Sequence, residues 1–200
     1  MTKSARLSLI TLIFTATTTF QRLEAEEKVP FHFAHRGGAH EFEENTLFAF
    51  KSSYEKGIRG YELDVRMTKD GELVVLHDDS LDRTHHCKGP VEHLSAEEAK
   101  KIHSRVQNEP LLFLDTLLDY LKDKPGMYVE FEMKTSNKEL YPDSCIEEYA
   151  AKLHRKVTAH VPEGSTYLFT SFDQRPLVAV KKIDPEADLM LIKGGPLTPD

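Results

Sequence analysis

Between residues 31 and 192 short apolar runs alternate with longer windows of helical periodicity, and this alternation limits the fold more than any other feature of the chain. Phe31 to His35 reads as a buried strand, and Leu47 to Lys56 as a helix opened by Asn45-Thr46 and stopped by Gly57. Gly60 to Thr68 and Leu73 to His77 read as strands around Asp70-Gly71, a strong signal for a tight hairpin. Ser95 to Glu98 carries a capping box, and Leu111 to Lys122 is amphipathic. Met127 to Lys134, Thr166 to Ser171 and Asp188 to Ile192 are further strands, separated by helices over Ser144 to His160 and Arg175 to Ile183. Strands punctuated by helices imply an α/β fold with mostly parallel pairing.

A chain of 200 residues suffices for one domain with a substantial core. The formal charge of -7 disfavours nucleic acid or an anionic membrane as the main partner. It leaves room for a small anionic substrate where local cations reverse the field. Residues 1–25 stand apart: Lys3 and Arg6 precede an apolar stretch from Leu7 to Phe14, and Leu23-Glu24-Ala25 closes the segment. That layout predicts a secretory signal peptide and an exported mature domain over residues 26–200, with no stable membrane insertion. In an exported protein Cys87 and Cys145 either pair or stand as two unrelated thiols.

Three stretches carry groups capable of chemistry. In "YELDVRMT" Glu62 and Asp64 point to one strand face and Tyr61, Leu63 and Val65 to the other. In "YVEFEMKT" Glu130, Glu132 and Lys134 share one face, which needs partners if the strand is covered on both sides. With Asp70 and Gly71 as a two-residue turn, Asp64 falls opposite His77 and Glu62 opposite Asp79, bringing an imidazole beside the acids. "HRGG" places His35 on the strand face with Arg36 at its end, where a guanidinium suits a phosphate and the glycines allow a sharp turn. Oxygen ligands alone suggest a hard cation, Ca²⁺ or Mg²⁺, over zinc. His32, His40, His93, His103, His154 and His160 read as surface or structural residues, and the adjacent His85 and His86 point apart.

The succession "AHRGG", "ENT", "ELDVRMTKDGELVVLHDDSLDRT" and "EFEMKT" resembles the glycerophosphodiester phosphodiesterase family. The resemblance implies a (β/α)8 barrel of the TIM type, with its site at the carboxyl ends of the strands. It implies His35 and His77 as an acid/base pair, Glu62, Asp64 and Glu132 as divalent-metal ligands, and Arg36 and Lys134 as phosphate contacts. The expected reaction is hydrolysis of a glycerophosphodiester to glycerol 3-phosphate and an alcohol, through a cyclic phosphate. Two departures accompany it. Glu130 stands where the family commonly has an uncharged polar residue, so it either competes as a ligand or is held neutral deeper in the barrel. The chain also stops after what reads as the sixth strand, whereas such barrels run to about 250 residues. A fragment, mutual completion by two copies and a non-catalytic phosphate-binding protein are then alternatives, as is a phospholipase D-like or phosphoinositide-type relative acting on lipid.

Overall fold

The computed structural model describes residues 32–194; the expected signal peptide, and with it the expectation of export, lies outside them. Among the described residues six strands form one sheet: β1 (Phe33–Ala34), β2 (Gly60–Met67), β3 (Leu73–Val75), β4 (Tyr128–Met133), β5 (Thr166–Ser171) and β6 (Leu189–Leu191). Five of them are parallel and lie in sequence order, β1-β2-β4-β5-β6. A doubly wound sheet reverses its strand order at a switch point, whereas an unbroken progression is that of a TIM-type barrel wall. β3 pairs antiparallel with β2 and lies off this progression, so it is a hairpin arm rather than a stave.

The helices are α1 (Leu47–Glu55), α2 (Ala96–Ala99), α3 (Leu114–Leu121), α4 (Asp143–Thr158) and α5 (Gln174–Ile183). Thr46 caps α1 by accepting from the Ala49 amide at 3.1 Å, and Ser95 with Glu98 forms the expected capping box on α2. Leu114, Leu117, Leu118 and Leu121 bury one stripe of α3, and α4 has Asp143 in its first turn and Arg155 and Lys156 in its last, as the helix dipole favours. The faces of β2, β4 and β5 that carry Tyr61, Leu63, Val65, Val129, Phe131, Met133, Tyr167 and Phe169 enter one core with the helices. Between β3 and α3 the chain makes an excursion that packs on a smaller cluster of its own, formed by Leu76, Leu81, Val91, Ala99, Ile102 and Leu111 together with Val74 of β3.

Two sequence expectations are corrected. The first strand is two residues long, because Arg36 is left-handed (φ 52°) and turns His35–Gly37 into a 3-10 turn, which takes His35 off the strand face. The hairpin turn has three residues, closed by Thr68 N–H to the Glu72 carbonyl with Gly71 at φ 91°. Met67 therefore pairs with Leu73 and Val65 with Val75, one step out of the expected register, and Asp64 meets Leu76. His77 lies beyond the end of β3. Of the two readings open for the cysteines, the structure has the second: Cys87 and Cys145 are both free thiols.

Candidate active site

β2 and β4 run in register, with Glu62 beside Glu130 and Asp64 beside Glu132, so the acids line successive layers of one sheet face. Glu62, Asp64 and Glu132 are all buried, and a carboxylate oxygen from each lies within 4.8 Å of the others. This spacing suits a hard cation, because oxygens each about 2.3 to 2.6 Å from a shared Ca²⁺ lie no more than roughly 5 Å apart. Glu62 Oε1 and Asp64 Oδ1 are buried without a hydrogen-bond partner, leaving acceptor capacity that such a cation would fill. Among the described residues this is the one acidic or histidine group with metal-holding geometry. Glu130 stands outside it; one layer away, its carboxylate accepts from the Tyr128 hydroxyl at 3.0 Å, so it does not compete as a ligand.

The acids are also paired with protein cations and donors. Lys134 Nζ donates to Glu132 Oε1 at 2.9 Å and stands 3.6 Å from Asp64 Oδ1. Arg36 Nε is 3.6 Å from Asp64 Oδ2, while the Arg36 backbone N–H donates to Glu62 Oε2 at 2.9 Å. Burial, reinforced by the neighbouring Asp64 charge, pushes the Glu62 carboxyl up to about 8. The left-handed backbone at Arg36 aims that N–H, and costs of order 1–3 kcal/mol for a side-chain-bearing residue. The two glycines that follow leave room for the turn. A Cβ on Gly38 (φ 119°) would lie 2.7 Å from Ser53 Oγ, and one on Gly37 (φ 75°) would lie 3.1 Å from the Phe50 ring.

The two histidines differ in their surroundings. His35 Nε2 lies 3.7 Å from Glu62 Oε2 with 59% of its side chain exposed, and its pKa is lowered by partial burial and then by the Arg36 charge. His77 Nδ1 is 2.8 Å from Asp78 Oδ1, and His77 lines a cavity of about 420 Å³ together with Glu132, Lys134, Asn137 and Phe172. The His77 carbonyl accepts from Arg66, whose guanidinium is buried and also donates to Glu92 at 2.9 Å. The structure thus gathers Glu62, Asp64, Glu132, Arg36, Lys134 and His35 in contact, with His77 on the same cavity as Glu132 and Lys134.

Residues absent from the sequence-based set also belong here. Asn45, expected as a cap, is a buried left-handed residue (φ 56°) whose Nδ2 donates to Asp64 Oδ2 at 2.8 Å. Glu44 accepts from both Arg36 and Arg83, and Asp78 accepts from Arg83. For Asn45 the sequence offered only a second good cap beside Thr46, with nothing to show which of the two caps the helix. For Arg83 and Glu44, separated by 39 positions, the sequence held no signal.

The sequence profile of the glycerophosphoryl diester phosphodiesterase family matches residues 35–198. Among curated proteins, a glycerophosphodiester phosphodiesterase of Caldanaerobacter subterraneus is 36% identical over 165 residues, and one of Bacillus altitudinis is 32% identical over 166. Each alignment covers 80% of this chain and 65% of the relative, so the chain spans about two thirds of the length of these proteins. Among solved structures, an Oleispira antarctica phosphodiesterase in complex with the product sn-glycerol-3-phosphate superposes with a TM-score of 0.70 at 28% identity, covering 78% of this chain and 63% of that one. A glycerophosphodiester phosphodiesterase from Agrobacterium tumefaciens gives 0.61 at 28%, covering 80% and 65%. The sequential strand order and the acids on β2 and β4 therefore coincide with a profile spanning most of the chain, which belongs to the glycerophosphoryl diester phosphodiesterase family.

Proposed function

We propose that the site hydrolyses glycerophosphodiesters to glycerol 3-phosphate and an alcohol, with a divalent cation, Ca²⁺ or Mg²⁺, held by Glu62, Asp64 and Glu132. The observation that carries this reading is the buried acid triad with two oxygens lacking hydrogen-bond partners, ringed by Arg36, Lys134 and His35. The product bound in the Oleispira antarctica structure supports the substrate class. A bound cation would supply Lewis-acid stabilisation of charge on the phosphoryl oxygens.

The chain's own groups perform the rest. Arg36 and Lys134 offset the developing negative charge on the phosphoryl oxygens. One of His35 and His77 takes the proton of the glycerol 2-hydroxyl as its oxygen bonds to phosphorus, and the other protonates the departing alcohol. In the second step water attacks the cyclic phosphate with the proton roles exchanged, opening it to glycerol 3-phosphate.

The test is release of glycerol 3-phosphate from glycerophosphocholine by the purified chain, with and without a chelator. Turnover that needs a divalent ion, and falls by roughly 10²- to 10⁴-fold in His35→Ala and in His77→Ala, is expected. Unchanged turnover under chelation would remove the metal from the reading, and full activity in either variant would remove that histidine. Hydrolysis of a phospholipid in place of glycerophosphocholine would favour the lipid-acting alternative, and phosphate binding without turnover the non-catalytic one.

A further inference from the structure

Arg83 lies on the excursion after β3, half exposed, and makes four hydrogen bonds. Its Nε and Nη2 donate to the Asp78 carboxylate at 2.6 and 3.0 Å, and its Nη1 and Nη2 to the Glu44 carboxylate at 2.8 and 2.7 Å. An isolated surface ion pair contributes little to stability, commonly about 0 to 1 kcal/mol. Both forks of Arg83, however, end on acids already bonded to site residues. Asp78 Oδ1 lies 2.8 Å from His77 Nδ1, and Glu44 Oε1 accepts from Arg36 Nη1 at 3.1 Å. The result is a continuous chain of alternating charge, His77-Asp78-Arg83-Glu44-Arg36, which joins the loop after β1 to the segment after β3.

Resting on the reading of His77 and Arg36 as proton-transfer and phosphate groups, we propose that Arg83 is a positioning residue that aligns both, one through Asp78 and the other through Glu44. On the His77 side, Asp78 accepts the Nδ1 proton of the neutral ring and so leaves Nε2 with its lone pair free for the substrate. Arg83 fixes the Asp78 carboxylate in place with its two hydrogen bonds, and these, followed by that of His77, also hold the carboxyl far below its ordinary range despite partial burial. On the Arg36 side burial alone would raise the Glu44 carboxyl, yet Arg83 and Arg36 together hold it low, so it stays an acceptor for Nη1. A lysine offers a point charge, and cannot present paired forks to two carboxylates at once.

The experiment compares Asp78→Asn, Glu44→Gln, Arg83→Met and Arg83→Lys with the parent chain. The primary readout is the ¹⁵N chemical shifts of the His77 ring at mildly alkaline pH, supplemented by the Kd for glycerol 3-phosphate; neither needs turnover. In the parent the Nδ1–H tautomer should dominate. In Asp78→Asn and Arg83→Met it should give way to the Nε2–H form that imidazole prefers in water, whereas Glu44→Gln should leave it in place. Glu44→Gln and Arg83→Met should weaken glycerol 3-phosphate by roughly 10-fold, Asp78→Asn by less, and Arg83→Lys should restore only part of either effect. Where turnover is present, Asp78→Asn should lower kcat by roughly 10- to 100-fold with KM nearly constant, Glu44→Gln should act mainly on KM, and Arg83→Met on both. An Arg83→Met protein that keeps both the parent tautomer and the parent Kd would overturn the proposal. A parent chain that shows the predicted shifts without any turnover would instead overturn the assigned reaction and leave the positioning intact.

Discussion

Glu62 makes the stability of the metal-free protein depend on pH in a direction opposite to that of an ordinary salt-bridged acid. Its folded carboxyl titrates at about 8 against an ordinary value of 4.5, chiefly because burial penalises the charge and Asp64 adds to that penalty. Between those values the folded state holds a proton that the unfolded state has released, so stability falls as pH rises. One proton corresponds to at most about 1.4 kcal/mol per pH unit. From about pH 5.5 to about pH 7.5 the metal-free protein should therefore lose about 2 to 3 kcal/mol, a large share of a typical domain's 5 to 15. Urea unfolding in the presence of a chelator at the two pH values measures this directly. In Glu62→Gln, which keeps the shape without the titration, the loss should shrink to the background set by the other groups. Saturating Ca²⁺ should flatten it too, since the cation favours the ionised carboxylate at both pH values. An equal loss in Glu62→Gln and the parent would refute the assignment of the buried proton to Glu62.

Asn45→Ala removes the amide that donates to the fully buried Asp64, which should cost about 1.5 to 3 kcal/mol by chemical denaturation and weaken Ca²⁺ by roughly 10-fold or more in a calorimetric titration. Gly38→Ala forces a Cβ against Ser53 Oγ at φ 119°, and should lower stability by more than about 1 kcal/mol, visible as a reduced Tm. Phe131→Ala empties a fully buried site between Tyr167 and Phe169, and should cost about 3 to 5 kcal/mol in the same measurement while leaving the register of the acids on β4 unchanged. If the triad binds Ca²⁺, an ion concentration about 100 times Kd should stabilise the chain by about 2.7 kcal/mol, and Glu132→Gln should abolish most of that gain.

The two-residue period of a strand made Glu62, Asp64 and Glu132 legible, because acids alternating with Tyr61, Leu63, Val65 and Phe131 have one face to share. It does not specify how strands meet. The hairpin register slipped by one because the Thr68 hydroxyl accepts from the Glu72 amide and donates to Asp70, which organises a three-residue turn where Asp-Gly suggests two. His35 left its strand because a left-handed Arg36 depends on a carboxylate of β2, 26 positions away, accepting its N–H. Asn45 was hidden for a similar reason. Asn and Thr are both good caps, and only the approach of Asp64 shows which of them caps and which supports a ligand. Long-range pairs such as Arg83 with Glu44 leave no local periodicity at all.

The excursion between β3 and α3, with its separate apolar cluster, has an evolutionary consequence. Its interior is filled by its own residues together with Val74 of β3, and its charged ties run to the wall through Arg66, Glu92 and Tyr141 and to the loop after β1 through Arg83 and Glu44. Insertions or exchanges within it that spare Arg83 and Glu92 can therefore reshape what reaches His77 while the carboxylates on β2 and β4 keep their spacing. The access to His77 and the acidic face of the sheet are thus free to diverge at different speeds among related sequences.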